Sequence, residues 1–221
     1  MKLYQGDLSP FAARVRLAVY AKGLEGGSVE ILDPPGGQGS AEFKAISPTG
    51  KIPVLDTGTR VLPESEVICA YLDEVFPAVP LTPSHADARA QMRLLSRFVD
   101  LYLYPVLSPL FPHVDPRQRN QTAVDAGLPK VDETLAVLDR WLGEGGYAGG
   151  AHAVGSSLTL ADCALVPGLT FTAALLPMLG RAEPFAGVPR VAGYWRQAQA
   201  VPVCARVIGE IHAALQARMA G

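Results

Sequence analysis

Strand and helix periods alternate along the first third of the chain and then give way to helix alone, and that change divides it. Lys2-Leu3-Tyr4 leans apolar and stops at Gly6-Asp7, which predicts a short strand. Ser9-Pro10 then opens a helix, because serine is a favoured N-cap and proline suits a first helical position whose N–H has no partner anyway. Phe11, Val15, Ala18 and Val19 follow at the spacing of one helix face, and Gly23 supplies the stop. Val29, Ile31 and Leu32 predict a second strand, which ends in an exposed, mobile loop at Asp33-Pro34-Pro35-Gly36-Gly37. Ser40 to Ile46 reads as a short helix and Ser47-Pro48-Thr49-Gly50 as a turn. Lys51 to Leu55 and Arg60 to Leu62 form two strands joined by a hairpin over 56–59. Val67, Ile68, Tyr71, Leu72 and Val75 then have helical spacing up to Pro77, with Ser65 as the N-cap. The order is β-α-β-α-β-β-α.

Residues 77–85, Pro-Ala-Val-Pro-Leu-Thr-Pro-Ser-His, read as a semi-rigid linker, and beyond them strand signals nearly vanish. Ala86 to Tyr104 predicts a long helix with Met92, Leu95, Val99, Tyr102 and Leu103 on one face, broken or kinked by Pro105, Pro109 and Pro112. Lys130 to Leu142 is a second helix, carrying Val131, Leu135, Leu138 and Leu142. Thr159 to Leu176 is a third, apolar all round and therefore central. Pro189 and Pro202 stand at first positions of two more. The fold class is thus an α/β domain over residues 1–78 followed by an all-α domain over 86–221.

Composition narrows the partners. With 49% of 221 residues hydrophobic and 18% charged, the chain buries a substantial core, so disorder is excluded. Nineteen Lys plus Arg against 21 Asp plus Glu leave a net charge of −2, which offers no footprint for nucleic acid. No run of about 18 consecutive apolar residues exists, so no membrane span is expected, and the opening residues do not read as a signal peptide. Cys69, Cys163 and Cys204 are widely spaced among apolar neighbours, which suits packing in a reducing cytoplasm rather than a disulfide framework. The four histidines are scattered, and no metal site is expected.

Four motifs can carry chemistry. Ser9 sits at a helix N-terminus, beside unpaired N–H groups that stabilise an anion; read alone, an ordinary cap is the favoured reading, because Ser-Pro caps are common. Pro53 enters a strand, where it interrupts the ladder, and a cis peptide after Ile52 would leave that residue's backbone free for a peptide-like ligand. Glu64 and Ser65, at a strand-to-helix junction, read either as capping residues or as holders of the ammonium and carboxylate of an α-amino acid. Thr159-Leu160-Ala161-Asp162 has the form of a capping box and reads as structural, worth about 1 kcal/mol or more.

Taken in order, Ser-Pro-Phe at a helix start, Lys-Ile-Pro-Val-Leu, Glu-Ser, a linker, a helical domain and Thr-x-x-Asp, this set resembles the cytosolic glutathione transferase superfamily over essentially the whole chain. The resemblance implies a thioredoxin-like N-terminal domain, an all-α C-terminal domain, a cytoplasmic homodimer and glutathione as co-substrate without a metal. It implies that Ser9 stabilises the glutathione thiolate. Ile52, before Pro53, would pair with the cysteinyl part; Glu64 and Ser65 would hold the γ-glutamyl end, and Lys51 a carboxylate. Asp100 is similar to an acid that in some classes reaches the glutamyl amine across the dimer. Many relatives carry a basic residue in the loop before the second helix, whereas this chain has Gly37-Gln38-Gly39, leaving Gln38 as a weak holder of the glycyl end. Leu8, Phe11, Tyr102, Phe111 and His113 are candidates for the site of a small apolar electrophile, with His113 as a possible proton donor. Serine rather than cysteine at position 9 implies conjugation, isomerisation or thiolytic cleavage rather than thiol transfer; conjugation, in detoxification, is the leading reading, and isomerisation or ether cleavage is the alternative. A non-catalytic binding protein of the same fold is the remaining reading.

Overall fold

The computed structural model describes residues 1–147 and 149–220. Contacts divide the chain into two compact units, Met1–Thr82 with the chain from Val203 on, and Pro83–Pro202.

The first unit holds a four-stranded sheet in the order β2-β1-β3-β4, from β1 (Lys2–Tyr4), β2 (Glu30–Leu32), β3 (Val54–Asp56) and β4 (Val61–Pro63). β1 runs parallel to β2 and antiparallel to β3, and β3 is antiparallel to β4. The helices are α1 (Pro10–Ala21), α2 (Ala41–Ile46) and α3 (Ser65–Val75). This order is the one the hydrophobic pattern predicts. Ser9 caps α1 and Ser40 caps α2, each accepting a backbone N–H with its side chain.

Three details differ. β3 begins at Val54 rather than Lys51, because Pro53 has no N–H for the ladder. α3 buries Ser65, Ile68, Cys69, Leu72 and Asp73, while Val67 and Val75 are exposed; the apolar run is wider than the buried face. The expected linker is docked over its first half. Leu81 is buried, its N–H donates to Asp73, and Lys22 donates to both Asp73 (2.7 Å) and the Val79 carbonyl.

The C-terminal helix α9 (Pro202–Ala220) starts at the expected proline, but from Val203 on it belongs to the first unit. It is tied there by charge. Arg206 makes a two-pronged pair with Glu25 at 2.6 and 2.7 Å and lies 3.7 Å from the centre of the Tyr20 ring. Helical periodicity carries no information about which unit a helix joins.

The second unit contains α4 (Ala86–Phe98), α5 (Tyr104–Leu107), α6 (Gln121–Glu144), α7 (Leu160–Met178) and α8 (Pro189–Ala198). The single helix expected over 86–104 is α4 followed by a wide π-type turn at Val99–Leu103, just ahead of Pro105. That insertion rotates the face, so Tyr102 is exposed at 49% and leaves the buried row. α6 begins at Gln121, capped by Asn120, and runs through Pro129 rather than starting after it. α7 is buried nearly all round. By length and composition it alone among the described helices could cross a membrane, but 83% of that stretch is buried inside the protein.

Asp162 does more than close the capping box. Its carboxylate accepts from the Thr159 and Ala153 N–H groups (2.8 Å each), the Thr159 hydroxyl (3.0 Å) and the Tyr194 hydroxyl (2.9 Å). One side chain thereby fixes the preceding loop, α7 and α8 to each other.

In the first unit, burial alone would raise the Asp73 carboxyl, but hydrogen bonds from Lys22, the Leu81 N–H and the Thr82 hydroxyl outweigh it and hold it below the ordinary carboxylate range. This contribution is present above the unfolded value near 3.9 and is lost as pH falls through the lower folded value. Asp73→Asn strands a buried ammonium and is expected to cost about 3 kcal/mol at neutral pH in denaturant unfolding. The gap from the parent should narrow below about pH 4.

Candidate functional site

Ser9 terminates a tight turn in which its own N–H donates to the Gly6 carbonyl at 3.0 Å. Its backbone is extended, φ −98° and ψ 116°, and its Oγ accepts the Ala12 N–H at 3.2 Å. The hydroxyl is therefore a cap, and the cap assigns its proton. With an oxygen lone pair engaged by the helix, the O–H remains a donor, at the positive end of α1.

Two adjoining cavities share one residue, Ile52. The first, about 250 Å³, is lined by Phe11, Thr49, Lys51, Ile52, Glu64 and Ser65 among others. The second, about 510 Å³, is lined by Leu8, Ser9, Gln38, Ile52 and the α9 residues Ala217 and Arg218 among others. The Ile52–Pro53 peptide is cis. Among the described residues no hydrogen bond from another protein group reaches the Ile52 backbone. Its side chain packs against the Tyr4, Phe43 and Val54 cluster, and a Cβ at Gly6 would lie 2.8 Å from its Cδ1. A side chain at position 6 would therefore push the end of Ile52 aside.

Glu64 carries the only positive φ outside glycine among the described residues, 71° with ψ 114°. Such strain persists where the surroundings enforce it, and here it lies at the first cavity. Ser65 is not the N-cap that the sequence suggests. It is the first residue of α3, its Oγ accepting from Arg14 Nη1 at 3.2 Å, so the hydroxyl proton can point into the cavity. Phe11, expected on the electrophile side, lines this same cavity with Lys51 and Glu64.

Arg14 and Arg16, both on α1, are 2% and 1% exposed. Arg16 donates through Nη1 to Gln5 and Asp7 and through Nε to Glu210 of α9 at 3.0 Å. Burial and the Glu210 carboxylate push the Tyr20 phenol far above its ordinary value, so Tyr20 stays a donor to Glu210 at 3.0 Å. The alternation Arg-Val-Arg on an otherwise apolar helix is the one signal in the sequence that could have marked these side chains.

The remaining candidates lie in the second unit. Asp100 is in the π-type turn and accepts from Arg97 at 3.0 Å. Tyr102 stacks on Phe98 and meets Trp141 edge-on, and Phe111 meets Phe171 edge-on at 6.3 Å. His113 Nδ1 accepts the Asn120 N–H at 3.4 Å, and its carbonyl accepts from Arg119. Its imidazole thus faces the start of α6. Among the described residues no group of three or more His, Cys, Asp or Glu side chains is arranged to hold a metal ion.

A four-stranded mixed sheet with this connectivity, joined in the chain to a helical unit, defines a thioredoxin-like domain followed by an all-α domain. Residues 3–80 match the profile of the glutathione S-transferase N-terminal domain, and residues 98–202 that of its C-terminal domain. The chain belongs to the glutathione S-transferase family. It is 31% identical over 178 residues to maleylpyruvate isomerase of Ralstonia sp, covering 76% of this chain and 80% of that one. It is 31% identical over 220 residues to glutathione S-transferase 3 of Zea mays, covering 96% and 94%. Among solved structures it is similar to maleylacetoacetate isomerase of Methylobacterium extorquens AM1 with bound malonate and GSH. That match has a TM-score of 0.73 at 26% identity and covers 94% of this chain and 95% of that one.

Arg16 ties α9 to the turn that carries Ser9. Arg16→Met is expected to lower stability by about 2 kcal/mol, below the usual cost of breaking a buried ion pair because Glu210 and Asp7 are partly solvated. Hydrogen exchange at the Leu8 and Ser9 amides should quicken more than at Leu3, checked by NMR.

Proposed function

We propose that this protein is a glutathione transferase in which Ser9 stabilises the thiolate of glutathione for attack on a small apolar electrophile. The observation that carries the reading is the unpaired backbone of Ile52 between two cavities, one holding Glu64 and Ser65 and the other Ser9. A tripeptide with an α-amino-acid end, a central thiol and a free backbone amide matches that arrangement. Glu64 takes the glutamyl ammonium. Ser65, with Arg14 behind it, donates to the glutamyl carboxylate, and Lys51 adds a cation at the rim. Ile52 pairs its N–H and C=O with the cysteinyl backbone.

The chemistry then falls to Ser9. A free thiol ionises near pH 8.5, so at neutrality it is mostly protonated. The Ser9 O–H donates to the sulfur anion, and the α1 N-terminus adds its partial positive charge; both favour the ionised form. The thiol proton leaves to solvent. The sulfur lone pair forms the carbon–sulfur bond, and the leaving group departs with the electron pair of the bond that breaks.

A second chemistry uses the same thiolate. The isomerase names of two of these relatives favour addition to a conjugated double bond, rotation, and expulsion of the sulfur, which returns glutathione unchanged. We further propose a cytoplasmic homodimer in which Asp100 meets the glutamyl ammonium bound by the partner.

Ser9→Ala should leave the fold and glutathione affinity nearly intact. The ultraviolet thiolate titration of the bound tripeptide should move back toward the free value near 8.5. Turnover with a model electrophile should fall by about a hundredfold, as on losing one donor to a developing anion. A thiolate titration identical in parent and variant would refute the role of Ser9.

A further inference from the structure

The loop that precedes α2 presents Gln38 to the second cavity and brings no cation to it. The cation comes from the opposite end of the chain. Glu210, Ala214, Ala217 and Arg218 stand at i, i+4, i+7 and i+8 along α9, one face of the helix. At one end of that face Glu210 is gripped by Arg16 and Tyr20. Farther along, the two alanines and Arg218 form a wall of the cavity that also holds Ser9, Ile52 and Gln38. Asp7, the acid in the same lining, is already engaged by Arg16 at 3.3 Å.

We propose that Arg218 holds the glycyl carboxylate of glutathione, with the Gln38 amide as a second donor. The direction of the tripeptide follows from the two cavities. If the α-amino-acid end lies with Glu64 and Ser65 and the cysteinyl backbone lies on Ile52, the glycyl end continues into the cavity of Gln38 and Arg218. A planar guanidinium suits a terminal carboxylate, which it meets with two parallel N–H donors. The Glu210–Arg16 pair acts as the positioning contact, because it sets the rotation of α9 that aims this face at the cavity.

The inference rests on the glutathione reading, and calorimetric titration separates the two. Parent, Arg218→Gln and Arg218→Lys proteins are each titrated with glutathione and with γ-glutamylcysteine, which lacks the glycine. The parent should bind glutathione about tenfold more tightly, the size of a charge-assisted hydrogen bond that stays partly solvated. Arg218→Gln should lose most of that preference while binding γ-glutamylcysteine as the parent does, and Arg218→Lys should keep part of it. An unchanged preference in Arg218→Gln, or an equal loss for both peptides, overturns the role of Arg218 and leaves the glutathione reading standing. If the parent binds neither peptide at millimolar concentration, both readings fall.

Discussion

The ladder between β1 and β3 ends at Tyr4 and Val54, and the chain chemistry at Pro53 is the reason it goes no farther. Proline brings no N–H to the sheet, so the residue before it is left with an unpaired donor and acceptor. The side chain of Ile52 is nevertheless held, packed on the Tyr4–Phe43–Val54 cluster and over Gly6. A rigid side chain beneath an unpaired backbone is what a peptide ligand needs, because the ordering is already complete before binding. Each functional group of the first unit is arranged to one side or the other of this point. Glu64 and Ser65 lie toward α3, and Ser9 and the α9 face toward α1.

The near-zero net charge conceals how charge is used. Arg14 and Arg16 are separated by two positions, so they leave α1 in different directions. One reaches Ser65 at the head of α3, and the other reaches Gln5, Asp7 and Glu210. Burying a guanidinium is costly without partners, and here each is supplied by a different element. The first helix thus acts as a cationic spine to which the first cavity, the Ser9 turn and the C-terminal helix are all fastened. Lys22 continues it, fastening α3 and the chain after it through Asp73 and Val79.

Local signals were legible and long-range ones were not. Ser9-Pro10, Ser40 and Thr159-x-x-Asp162 marked true helix starts, because a cap is satisfied within three residues of itself. The α/β order and the cis peptide at Pro53 were readable for the same reason. Ser65 was misread as a cap, since its hydroxyl is taken by an arginine fifty-one positions away. Tyr102 was placed on a buried face because periodicity assumes an unbroken α-helix, and the wide turn before Pro105 breaks it. Asn120, a capping residue, marks the early start of α6, which the apolar spacing from Val131 onward does not reach. Neither the docking of the supposed linker nor the return of α9 to the first unit leaves any trace in local pattern, because both depend on ion pairs between distant positions.

The most direct measurement of this account is residue-resolved amide exchange by NMR on the full chain, with and without saturating glutathione. The Ile52 amide has no protein partner among the described residues and should exchange quickly in the free protein, then slow by at least tenfold when the tripeptide pairs with it. Leu55, already in the sheet, should change little. An Ile52 amide that exchanges at the same rate with and without bound glutathione would contradict the account.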